Sequence, residues 1–145
     1  KAYGLAGVRL GYAFGPQMLA SAFDKVRDHF GVSRIAQAAG IAALSDQKFL
    51  GDVLERIFAS RETIARIARD NGLAPLPSAT NFVAIDCGRD GAFAQKVLDG
   101  LIERDIFVRK PAAPMLDRCI RVSCGPEAEM AFFEEALAQT IRSLR

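Results

Sequence analysis

The sequence predicts an α/β chain: the edge of a large α/β domain followed by a small α+β domain. Three observations carry that expectation. Half of the 145 residues are hydrophobic and a quarter are charged, a composition that can fill a core and still coat it with polar groups. From about residue 76 the apolar spacing alternates between the periods of strand and helix, in the order β-α-β-β-α. Residues 1–30, in contrast, offer one strand and one helix with no evident partners, as the rim of something larger would.

The elements follow in order. Gly4 and Gly7 punctuate a turn. Val8, Leu10, Tyr12 and Phe14 then alternate with Arg9, Gly11 and Ala13, the period of a strand. Gly15-Pro16 ends it, and Pro16 suits the first turn of a helix striped by Met18, Leu19, Ala22, Phe23 and Val26. Residues 33–44 predict a buried helix, with Gly40 as a close-packing point. Ser45-Asp46 signals the start of a long helix faced by Phe49, Val53, Ile57, Ile64 and Ile67, and Asn71-Gly72 stops it. Pro75 and Pro77 predict a rigid extended connector. Beyond it come a strand over 81–87, a turn with Asp90 as N-cap, and a helix striped by Phe93, Val97, Leu98, Leu101 and Ile102. Short strands are predicted over 106–109 and 119–124. Pro126 opens the last helix, with Glu127 and Glu129 placed favourably for its dipole. The implied organisation is 1–45, the end of the large domain; 46–75, a connecting long helix and linker; and 76–145, the small domain.

Composition narrows the function classes. A net charge of +2 argues neither for nucleic acid nor for a membrane surface. Apolar runs stay below the roughly 18 residues that a bilayer span needs. Cys87, Cys119 and Cys124 have no metal or redox spacing and read as reduced core thiols in a cytoplasmic protein. His29 is the single histidine, so neither a serine–histidine–acid triad nor a metal site is expected. The glycine spacings fit neither a Walker loop nor a dinucleotide fingerprint. What remains is a lysine, several arginines and a glycine-rich turn.

The opening segment, KAYGLAGVRLGY, resembles the lysine segment of fold-type I pyridoxal-phosphate aminotransferases, above all the histidinol-phosphate aminotransferase family. Three later stretches are similar to the same family and in its order: Gly31 to Asp46, which lacks the family's common asparagine near its start; Pro77 to Phe82, similar to the entry into the small domain; and Ile120 to Gly125, similar to the strand that carries a carboxylate-binding arginine. The resemblance implies the C-terminal part of a PLP-dependent transferase fold, with pyridoxal 5'-phosphate as cofactor. It implies transamination between an amino acid or amino-alcohol phosphate and a 2-oxo acid, by a ping-pong route. It also implies a homodimer. Lys1 would form the Schiff base and shuttle the proton, Arg9 would bind the cofactor phosphate, and Arg121 would grip the substrate carboxylate. Two other readings share these motifs: a decarboxylase of the threonine-phosphate type, and the non-catalytic aminotransferase-like sensor domain of a transcription regulator.

Each residue also has a physical reading. A lysine amine condenses with an aldehyde and can act as general base and acid. A guanidinium fork matches phosphate and carboxylate. Arg121 lies between Ile120 and Val122, so alternation sends it to the opposite face, with Cys119 and Ser123 on its side. Arg109 ends the neighbouring strand and either holds the distal part of a substrate or caps a solvated strand end. Asn81 either orders the domain junction or approaches the substrate. Arg34, Arg56, Arg61, Arg66 and Arg69 read as a solvated helix face. Because Arg121 belongs to the small domain and Lys1 and Arg9 do not, a carboxylate held by Arg121 beside a Lys1-bound cofactor is expected to draw the two parts together.

Overall fold

The structure, a computed structural model, describes residues 3–144. It divides into two compact units, Lys1–Leu54 and Glu55–Arg145.

The first unit holds a single 3-10 turn, Ala6–Val8, then α1 (Gln17–Val26), α2 (Arg34–Ser45) and the start of α3 (Gln47–Asp70). The strand expected over 8–14 is absent. Arg9 adopts left-handed φ/ψ of 59° and 41°, which breaks an extended run at its second residue. Pro16 sits at the N-cap of α1, one position outside the helix. The helix has the expected stripe, but Met18, Leu19, Phe23 and Val26 are all exposed. Helix α2 starts where Ser33 Oγ accepts from the Ala36 amide at 3.1 Å. It is not the buried helix that its alanine content suggests, since only Ala36 and Gly40 are covered. Gly40 is a close-packing point all the same: a Cβ there would collide with the Leu10 side chain.

Helix α3 is opened by Asp46, whose Oδ1 accepts from the Phe49 amide at 2.9 Å. It closes as predicted at Asn71-Gly72. Gly72 takes φ +75°, its amide bonds Arg69 O, and the Leu73 amide reaches back to Ala68 O at 2.9 Å. That 6→1 pairing stops a helix and turns the chain, and Leu73 is buried beside it.

In the second unit, β1 (Ala74–Pro75), β2 (Phe82–Asp86) and β3 (Cys119–Ser123) form an antiparallel sheet in that order. Part of the proline connector is therefore an edge strand, a place where proline's missing amide costs no ladder bond. Helices α4 (Gly91–Ile102) and α5 (Glu127–Ser143) complete the unit. Asp90 caps α4 as expected, accepting from the Phe93 amide at 2.8 Å. The strand expected over 106–109 shrinks to one bridge, Arg109 with Arg121. Beyond the bridge the pairing cannot run on, because it would set Pro111 against Cys119 and proline has no amide to donate; nothing in the structure explains why 106–108 stay unpaired.

Alternation divides the sheet. Val83, Ile85, Ile120 and Val122 face inward and join Ile64, Ile67, Ala94, Val97, Leu101, Phe133, Leu137 and Ile141 in one core. The register pairs Phe82 with Ser123, Ala84 with Arg121, and Asp86 with Cys119 on the opposite face.

Candidate active site

The residues of interest fall in both units. In the first, Lys1 lies outside the described residues. Gly4 takes φ +67° and leads into the 3-10 turn, where the Val8 amide bonds Leu5 O at 3.1 Å. Arg9 closes that turn, with its Nη1 on Ala6 O at 3.0 Å. The rest of its guanidinium is exposed. A guanidinium has five N–H donors, so a fork remains for an anion. The strand setting expected for Arg9 is thus corrected to a tight turn.

In the second unit, Arg121 stands on the outer face of β3, as its neighbours predict. It is half-buried, and its guanidinium carbon lies 4.6 Å from the centroid of the Phe82 ring. Its Nε is buried and has no hydrogen-bond partner. A half-buried guanidinium with a covered nitrogen and no acidic partner carries an uncompensated charge, a cost that an anion on its remaining nitrogens would offset. Phe82 is the residue that the sequence reading passed over. Its signal is present in NFVAIDC: an aromatic on the polar face of a strand whose alternate residues fill the core.

Arg109 is joined to Arg121 by two backbone bonds, 3.2 Å and 2.6 Å. Directly paired residues share a face, so two like charges stand opposite each other, an unfavourable arrangement without an anion. Among the described residues, no salt bridge involves Arg9, Arg109 or Arg121. Asn81 extends the ladder: its carbonyl accepts from the Cys124 amide at 2.9 Å, and the residue itself is exposed.

The other arginines are less uniform than a solvated face. Arg66 clasps Glu134 with two bonds, 2.7 and 2.9 Å, and also reaches Asp70 at 2.9 Å. The Arg66 hydrogen bonds hold the Glu134 carboxyl below its usual range. Arg61 lies 4.8 Å from the Phe58 ring centroid. Burial pushes Cys87 up to about 11 and raises Cys119 and Cys124 as well, so all three are thiols at neutral pH. No group of His, Cys, Asp and Glu among the described residues could hold a metal ion. No helix among them is long and apolar enough to cross a membrane. A groove of about 690 Å³ lies beside Phe107, Val108, Ser123, Cys124 and Phe132, and neither Arg109 nor Arg121 lines it.

Arg9 on a glycine-rich turn, and Arg109 and Arg121 paired across a sheet edge, have no acidic partner among the described residues, in a chain that opens on the lysine motif. The family described as aminotransferase class I and II matches residues 1–137. The chain belongs to this family. A histidinol-phosphate aminotransferase of Geobacillus sp. (strain WCH70) is 37% identical over 142 residues, covering 98% of this chain and 38% of the relative. One from Geobacter sulfurreducens is 40% identical over 131 residues, covering 90% of this chain and 37% of the relative. The crystal structure of histidinol-phosphate aminotransferase from Sinorhizobium meliloti in complex with pyridoxal-5'-phosphate is 55% identical, with a TM-score of 0.94 over 100% of this chain and 40% of that one. The chain therefore spans about two fifths of the length of these relatives. Neither the decarboxylase nor the sensor reading is favoured by these matches.

Proposed function

We propose that the protein carrying this sequence is a pyridoxal-phosphate-dependent aminotransferase of the histidinol-phosphate type. It would move an amino group between an amino acid or amino-alcohol phosphate and a 2-oxo acid. The observation that carries the reading is Arg121: a half-buried guanidinium on a sheet face, with an unpartnered Nε and no carboxylate of its own.

When bound, pyridoxal phosphate supplies an aldehyde to which amines attach and an electron sink for a carbanion. The chain's own residues would do the rest. Lys1 is the residue assigned to hold the cofactor covalently and, as a free amine, to carry the proton that the substrate carbon gives up. Arg9 fits the cofactor phosphate, because all but one of its donors are open and no acid competes for it. Arg121 fits the substrate carboxylate, and Arg109, its cross-strand neighbour, a second anionic group at the distal end. Asn81 lies at the same end of the sheet as Phe82 and is assigned to the substrate's edge.

In this reading, residues 1–45 end the large cofactor-binding domain, 46–75 connect, and 76–145 form the small domain. The enzyme is cytoplasmic, which suits three reduced thiols. It serves amino-acid biosynthesis and works as a homodimer, an assembly that would help cover apolar residues such as Phe14 and Phe30, more than nine-tenths exposed in this chain. Borohydride treatment of the full-length protein with pyridoxal phosphate, followed by peptide mapping, tests the central assignment. The label is expected on the peptide containing Lys1, and a label elsewhere removes Lys1 from the mechanism.

A further inference from the structure

Phe82 has no part in the assignments above, yet its ring lies against the Arg121 guanidinium. It lies on β2, diagonal to Arg121 across the β2–β3 register, and its ring centroid is 4.6 Å from the guanidinium carbon. Phe82 is not part of the core, which takes the alternate residues Val83 and Ile85 from this strand. An aromatic there does something an aliphatic residue cannot: its negative face attracts a cation and fixes its plane.

We propose that Phe82 is a positioning residue for Arg121, holding the guanidinium flat against the ring so that its terminal nitrogens form a preset fork for a carboxylate. The proposal rests on the reading of Arg121 as the carboxylate site. The buried, unpartnered Nε supports it independently. A free arginine would swing to expose that nitrogen to water, whereas this one keeps it covered. With Nε covered, a carboxylate is met by the two terminal nitrogens, which defines the approach of the substrate. Presetting the fork also removes part of the rotamer cost that ordering a long side chain adds to binding.

The test uses the full-length protein loaded with pyridoxal phosphate, with 2-oxoglutarate as probe. Four variants are compared: Phe82→Met, which keeps volume and loses the ring; Phe82→Tyr, which keeps the ring; pentafluorophenylalanine at position 82, which keeps the shape and reverses the charge of the ring face; and Arg121→Ala. Phe82→Met and the fluorinated ring are expected to raise KM about tenfold while kcat changes less than about twofold. Phe82→Tyr should stay within about twofold of wild type, and cofactor affinity should not move in any Phe82 variant. Should Phe82→Met fail to fold, the fluorinated ring decides alone, since it leaves packing intact. An unchanged KM with the fluorinated ring, alongside a raised KM for Arg121→Ala, overturns the role of Phe82 and leaves the carboxylate site standing. A parallel loss of cofactor and 2-oxoglutarate binding in the Phe82 variants also overturns it, as a packing effect. If Arg121→Ala leaves KM unchanged, or wild type does not saturate with the probe, the underlying reading fails and the proposal goes with it.

Discussion

Arg121 and Arg9 are both arginines without an acidic partner among the described residues, but their settings differ, and so should their losses. Arg121 is half-buried against an aromatic ring, whereas Arg9 is exposed on a turn with one donor engaged. Arg121→Ala is expected to weaken carboxylate substrates by about ten- to hundredfold, the worth of a charge-assisted forked contact, with little effect on pyridoxal phosphate. Arg9→Ala should do the reverse. Equilibrium titration of each variant with cofactor and with a 2-oxo acid checks the division, and equal losses of both ligands in both variants would refute it. The sequence made Arg121 legible because period two is strict around it: Ile120 and Val122 are buried and Arg121 faces away. The same rule applied to residues 8–14 misled. There the alternation is real, but no strand lies beside it among the described residues, and Arg9 turns left-handed instead. Strands depend on partners that a local pattern cannot supply. Phe82 escaped notice for a related reason: its importance lies in a residue 39 positions away, and only register brings them together.

At the scale of elements, helix ends were the most readable features and the edges of the sheet the least. The Asn71-Gly72 stop and the Asp90 cap appear where their chemistry predicts, because each is satisfied by backbone groups within a few residues. Helix α4 ends in the same manner as α3 but with a less suitable residue. Asp105 takes φ +60°, while the Ile106 amide reaches back to Leu101 O at 3.0 Å. Asp105→Gly is therefore expected to stabilise the protein by about 0.5–1 kcal/mol, read as a rise of a few degrees in Tm. A fall in Tm would mean that the aspartate side chain holds the turn. The turn after β2 depends on charge. Burial tends to raise the Asp86 carboxyl, but the Gly88 amide at 2.8 Å and the Arg118 Nε at 2.8 Å outweigh it, so it titrates below its usual 3.8. A depressed carboxyl contributes stability above its unfolded pKa and loses it as pH falls through the folded one. Wild type and Asp86→Asn should therefore differ in Tm near neutrality, and the gap should start to narrow as pH falls below about 4 and close only below the depressed folded value. A constant gap across that range would show that the ionised form of Asp86 contributes nothing.

For the whole molecule, burial is distributed very unevenly. The second unit has its own core, drawn from α3, α4, α5 and the sheet, with Ile64, Ile85, Leu101, Ile120 and Leu137 fully enclosed. Among the described residues of the first unit, only Ala36 and Gly40 are buried, while Phe14, Val26, Phe30 and Ile35 are each at least four-fifths exposed. An amphipathic helix gains most of its stability from burying its apolar face, and a lone helix of 10 or 12 residues is marginal in water. The stripe on α1 thus has the form of a core-facing surface without the core, consistent with a chain that spans about two fifths of its relatives. This explains why the sequence reading of α2 as buried did not match its exposure: composition reports what a helix is built to bury against, not whether the partner is present. The 145-residue chain made alone should reveal the difference by hydrogen exchange. Amides of Ile64, Ile85, Leu101, Ile120 and Leu137 are expected to exchange in one slow cooperative group, because exposing any of them means dismantling a shared core. Amides across α1 and α2 should exchange faster by about a hundredfold or more, near the limit set by local helix opening. In the full-length protein with pyridoxal phosphate bound, protection should spread to α1 and α2 as their apolar faces are covered. Equal protection of α1 and the sheet in the isolated chain would contradict this account, since it would require the first unit to be stabilised without burying its apolar surface.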